Sequence, residues 1–124
     1  MALELRVELF STDLDRFVDF YVGVLGFAVV SDRRRDDNGY VAVRRDGVRI
    51  GAVPAGRTVD REHRAVPVGT ELVLECDDVR AERDRVVAAG WTLAADLESR
   101  PWGLTDFRVF DPDGYYLRFT DRAG

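Results

Sequence analysis

The stretch "ELRVELFSTDL" at residues 4–14 has a counterpart in "GTELVLECDDV" at 69–79, a shift of 65 positions. In both, apolar residues alternate with polar ones and then give way to small polar and acidic residues. That order reads as a half-buried strand running into a capped helix start. The helix ends correspond as well, as "LGF" (25–27) and "AGW" (89–91), 64 positions apart, so the second helix is one residue shorter. After the first helix come three short strand patterns, "FAVVSD", "GYVAVRR" and "VRIGAV", with Asp46-Gly47 as a hairpin turn between the last two. After the second come "TLAADLE", "TDFRVFD" and "YYLRFTD", the last two joined by "DPDG" at 111–114. The chain is therefore a βαβββ unit used twice, an α+β protein. Module one spans 1–57, a linker spans about 58–67 and module two spans 68–124. The linker lies within "PAGRTVDREHRAVPVG" (54–69), which holds two prolines and many charges. A unit of roughly 60 residues buries too little surface to be stable alone. The expectation is one domain over 1–124 whose two modules form a curved mixed sheet with a cup.

Side-chain parity gives each strand two faces. Val7, Leu9, Leu72, Leu74, Leu117 and Phe119 are expected to back onto the helices. The opposite face then carries Arg6, Glu8 and Phe10 in one module, and Glu71, Val73, Glu75, Arg108, Phe110, Tyr116 and Arg118 in the other. Aromatic residues mixed with charges suit a ligand groove. They also suit a wet face whose charges pair with one another and whose aromatics make dimer contacts. In the first helix, Leu14, Phe17, Val18, Tyr21 and Leu25 fall at helical spacing, a cap comes from Ser11, Thr12 or Asp13, and Gly26 is the stop.

Composition narrows the function. The chain has 124 residues, 46% of them apolar, and a net charge of −5 with a pI near 4.9. This acidity argues against a nucleic-acid binder, which needs a basic patch. The basic trio in "DRRRDD" (32–37) is flanked by acids and reads as a solvated turn. One cysteine, Cys76, excludes an internal disulfide and reads as a small apolar residue in a strand. The single histidine, His63, lies in the polar linker, so no Ser–His–Asp or Cys–His arrangement can be assembled. No glycine-rich phosphate loop is present. The N-terminal "MALELRVELF" has no cationic stretch before an apolar run, and no apolar run approaches a membrane span. The expected location is the cytoplasm.

Two segments carry a resemblance. "DLDRFVDFYVGVLGF" (13–27) resembles the first-helix signature of the vicinal oxygen chelate superfamily, the glyoxalase/bleomycin resistance/dioxygenase fold. "DFRVFDPDGYYLRF" (106–119) resembles that family's closing hairpin. The resemblance implies four sheet positions where enzymes of the family hold a divalent metal through His, Glu or Gln. They fall on Arg6, Glu71, Arg118 and a position near "RIGAV" (49–53). Arginine stays protonated and has no lone pair to give. Only Glu71 could serve as a ligand, so the reading is no metal, no cofactor and no catalytic residue. Arg6 and Arg118 are expected to pair instead with Glu8 and Glu71.

That places the chain nearest the metal-free bleomycin-resistance branch. There, two chains form a dimer and sequester an aromatic, cationic antibiotic in grooves at the subunit boundary. "RPWG" (100–103) resembles a segment of those proteins and matches Trp102 to a residue lining their drug groove. The ligand-binding set is Trp102, Tyr40, Glu8, Phe10, Glu71, Arg108, Phe110, Tyr116, Arg118 and Arg6, with Trp91 assigned to core packing. The expected role is antibiotic resistance by binding an aromatic natural product in a homodimer, without nucleic acid or membrane. Arg6, Arg108 and Arg118 suit an anionic or carbonyl-bearing ligand better than a polycation, unless neighbouring glutamates neutralise them. The alternatives are a metal-dependent glyoxalase- or dioxygenase-type enzyme with atypical ligands, and an interaction module that binds no ligand.

Overall fold

The structure, a computed structural model, describes residues 3–55 and 69–122. The expected linker at about 58–67, with His63, lies outside the described residues. The chain divides into two compact units, Met1–Val59 and Asp60–Gly124.

In the first unit, strand β1 (Val7–Ser11) leads into helix α1 (Leu14–Val18), followed by β2 (Ala28–Asp32), β3 (Val41–Arg45) and β4 (Val48–Pro54). They form one mixed sheet in the order β1-β4-β3-β2. β1 runs parallel to β4, in the register Val7↔Ile50 and Glu8↔Gly51, and the other pairs are antiparallel. Asp13 caps α1, its carboxylate accepting from the backbone N–H groups of Asp15 and Arg16. This satisfies donors that a helix start otherwise leaves unpaired. The expected continuous helix instead changes pitch, because Asp19–Val24 is π-helical. Phe17, Phe20, Tyr21, Val24 and Leu25 share the inward face of this helical stretch, and all five are buried. Tyr21 is wedged between rings, 4.5 Å from Phe17 and 5.8 Å from Phe27, centroid to centroid. Val41, Val43, Ile50 and Leu9 complete this core, and α1 packs on β3 and β4.

The second unit repeats the plan with β5 (Leu72–Glu75), α2 (Val79–Ala88), β6 (Ala95–Ser99), β7 (Thr105–Phe110) and β8 (Tyr116–Thr120). Its sheet order is β5-β8-β7-β6, with β5 parallel to β8. Asp78 caps α2 by accepting from the Ala81 N–H. α2 lies on β6, β7 and β8, and its Val79 and Val86 are buried, as are Phe107, Val109, Leu117 and Phe119 of the sheet. The cross-strand pair Phe107–Phe119 is stacked, with centroids 4.9 Å apart and planes within 4°. The Arg83 guanidinium forks onto the Asp96 carboxylate with two 2.9 Å bonds and ties α2 to β6. The two sheets, each carrying one helix, are the α+β arrangement that the repeat implies.

Two expectations need correction. The alternation in "LELRVELF" (3–10) predicts a first strand from residue 3, yet β1 begins at Val7, where pairing with Ile50 begins, and Leu5 is 88% exposed. Trp91 is half-buried rather than enclosed, because its indole N–H reaches across to the Phe110 carbonyl at 2.9 Å.

Candidate functional site

In the first unit, parity sends Glu8 and Phe10 to the sheet face opposite α1, while Leu9 points into the core. The Arg6 guanidinium Nε lies 3.0 Å from Glu8 Oε1, and the Tyr40 hydroxyl donates to the same oxygen at 3.2 Å. Arg6 remains largely exposed, at 65% of its side chain, so this pair is screened and individually weak. The other oxygen, Glu8 Oε2, is buried with no hydrogen-bond partner. It rests over Gly51, where any Cβ would overlap the Glu8 carboxylate and meet the Tyr40 hydroxyl. Glycine is therefore required here by close approach. Phe10 shares the face and is 56% exposed.

In the second unit, β7 and β8 place Asp106, Arg108, Phe110, Tyr116 and Arg118 on the face opposite α2. Their neighbours Phe107, Val109, Leu117 and Phe119 are buried under the helix. Phe110 and Tyr116 are cross-strand partners with ring centroids 5.1 Å apart. The Arg108 guanidinium carbon stands 5.9 Å from the Tyr116 centroid, and its Nη1 donates to the Tyr116 hydroxyl at 3.2 Å. Arg118 Nε donates to Glu71 Oε1 at 2.7 Å. Trp102 sits in the loop between β6 and β7, 57% exposed.

Sequence reasoning missed Asp106. Its side chain is fully buried, and Arg100 contacts its Oδ1 through Nε and Nη2, each at 3.0 Å. Arg108 lies at 3.4 Å through Nε and Nη2, and Arg118 Nη1 at 3.8 Å. Burial would raise this carboxyl, but hydrogen bonds from Arg100 and Arg108 outweigh it and hold it below the ordinary value. The available signal was parity, since Asp106 is two residues before Arg108.

The donor set does not fit the divalent metal that the resemblance raised. In the first unit the candidate positions hold a guanidinium, Arg6, and a glycine, Gly51, facing β1. In the second unit Glu71 is already taken by Arg118, whose charge would repel a cation. Among the described residues no group of three or more His, Cys, Asp or Glu side chains gathers that could hold an ion. Nor is any described helix long and apolar enough to cross a membrane.

The sequence profile of the Glyoxalase/Bleomycin resistance protein/Dioxygenase superfamily matches residues 5–119. Among solved structures, TioX from Micromonospora sp. ML1 is 27% identical over 98% of this chain and 100% of its own, with a TM-score of 0.78. UcmS2 is 24% identical, with 98% and 99% covered and a TM-score of 0.81. A bleomycin resistance determinant encoded on the transposon Tn5 is 22% identical, with 99% and 100% covered and a TM-score of 0.78. The last two are likenesses of fold. No curated protein matches the chain.

Proposed function

We propose, because this chain belongs to the Glyoxalase/Bleomycin resistance protein/Dioxygenase superfamily, that it works in that fold as a binding protein, without a metal. It sequesters a small aromatic natural product in a groove at the boundary between two copies of the chain, and so protects against an aromatic antibiotic. The fold hosts many functions, so the choice among them rests on site residues. One observation carries it. Where relatives in the family would place metal ligands, this chain has Arg118 bonded to Glu71 at 2.7 Å, beside the aromatic pair Phe110–Tyr116. Such a face cannot polarise a substrate carbonyl through a Lewis acid, but it can stack a flat ring and donate hydrogen bonds to its substituents.

Trp102 supports the reading as a second flat apolar surface left available on a loop. Tyr40, Glu8, Phe10 and Arg6 are assigned to the same role in the first unit.

The test is calorimetric titration with a panel of planar aromatic antibiotics and quinones, with light scattering to measure the mass of the free and loaded protein. The reading expects saturable binding at one site per chain and a dimer throughout. Failure of every panel member to bind, or a monomer that binds equally well, contradicts it.

A further inference from the structure

The β7–β8 face has an unusual distribution of charge. Arg108 and Arg118 are direct cross-strand partners, and like charges in that register repel. Asp106 lies between them. Its Oδ2 is 3.4 Å from Arg108 Nη2 and 3.8 Å from Arg118 Nη1. Asp106 also serves Arg100, which makes the shorter contacts at 3.0 Å. One carboxylate is thus shared by three guanidinium groups.

Two of the three have a second acid. Arg118 has Glu71, and Arg100 has Glu98 at 3.0 Å. Arg108 has none among its contacts. Its remaining bond goes to the neutral Tyr116 hydroxyl, and its share of Asp106 is two long contacts of 3.4 Å. Glu75, the other acid on this side of β5, stands level with Thr120 in the β5–β8 register, and its charge acts on Arg122. Arg108 is therefore the least neutralised cation of the group, and 21% of its side chain is open. It is held in place from one side by Asp106 and from the other by Tyr116, next to the Phe110–Tyr116 rings.

From this we infer that Arg108, positioned by Asp106, reads an acidic or carbonyl oxygen on a flat aromatic ligand. The site then selects planar acids, phenolates and quinones against planar cations. This inference rests on the binding reading above and adds the ligand's chemical class. Guanidinium N–H groups suit oxygen anions, and a fixed guanidinium loses little freedom on binding one. An ammonium group at the same place would meet Arg108 instead of a partner.

The experiment uses three probes on one ring system, titrated into the full chain by calorimetry: anthraquinone-2-carboxylate, its carboxamide and 2-(aminomethyl)anthraquinone. The carboxylate is expected to bind at least tenfold more tightly than the amine, with the carboxamide between them. Arg108→Gln should bring the three within about threefold. Asp106→Asn should narrow the preference for the carboxylate over the amine, because Arg108 is no longer held in place, whereas loss of the negative charge without movement of Arg108 would widen it. Because Asp106 is buried, Arg108→Gln keeps the test decisive if the Asn variant does not fold. Equal affinities, an amine preference, or an Arg108→Gln variant that keeps the full preference each overturn the oxygen selectivity alone. Binding of none of the three overturns the binding reading with it.

Discussion

Asp106 concentrates the electrostatics of the second unit into one residue. Its carboxyl is held below its ordinary value of 3.8, so the folded protein favours the ionised form more than the unfolded chain does. The stabilisation is present above that ordinary value and is lost as pH falls through the lower folded value. Asp106→Ala should cost about 3 kcal/mol at pH 7, since it leaves guanidinium groups facing a vacated buried site. The difference from the parent should shrink as the pH of a denaturant titration is lowered below about 4. A constant difference across that range would place the cost in packing. Trp102 behaves oppositely. It is mostly exposed, so Trp102→Ala should leave the melting temperature unchanged while weakening an aromatic ligand by about 0.5–1.5 kcal/mol, roughly two- to thirteenfold, measured by calorimetry. An unchanged affinity removes Trp102 from the site. At this scale the sequence was partly legible. Parity put Arg118 and Glu71 on one face, and Arg6 with Glu8 on another, and both pairs exist. Asp106 escaped notice because its partners come from positions 100, 108 and 118, and only the sheet register draws them together.

Gly51 and the turn after β7 show how elements fix side chains. Gly51 stands opposite Glu8 on β4 and lets that carboxylate fold down within reach of Tyr40. Gly51→Ala should displace the carboxylate and cost about 1 kcal/mol, the value of a hydrogen bond lost. In a background that lacks both the carboxylate and the hydroxyl (Glu8→Ala with Tyr40→Phe) the same change should cost nearly nothing, and additive costs in this cycle would deny the contact. In the DPDG turn, Asp111 Oδ1 accepts from the backbone N–H groups of Asp113 and Tyr115, both at 2.9 Å, and is itself buried. Asp111→Ala should therefore cost about 2 kcal/mol in denaturant unfolding, because two donors lose their acceptor. Strand and turn positions were readable because the alternation and the Asp-Gly pairs act locally. The π-helical segment was not. Phe17, Phe20, Tyr21, Val24 and Leu25 are buried at spacings that an α-helix also buries, so the pattern carries no sign of the wider turn at Asp19–Val24.

Across the whole molecule, the internal repeat made the architecture legible. Each copy of the strand–helix opening belongs to its own four-stranded sheet. Function was less so, because membership in a family with many chemistries leaves the outcome to a few positions. The chain is acidic overall, at −5, yet the β7–β8 face sets Arg100, Arg108 and Arg118 against Asp106, Glu71 and Glu98, and Arg108, the least neutralised of the three, is what points to an oxygen-bearing ligand. The central claim is that Arg108 does the recognition, on a face where Arg118, bonded to Glu71, stands at a position that relatives would use to hold an ion. Its most direct test is the titration of anthraquinone-2-carboxylate into chelator-treated protein, repeated with excess zinc and with excess manganese. The account predicts the same Kd in all three. Binding that appears only when a metal is added would contradict it.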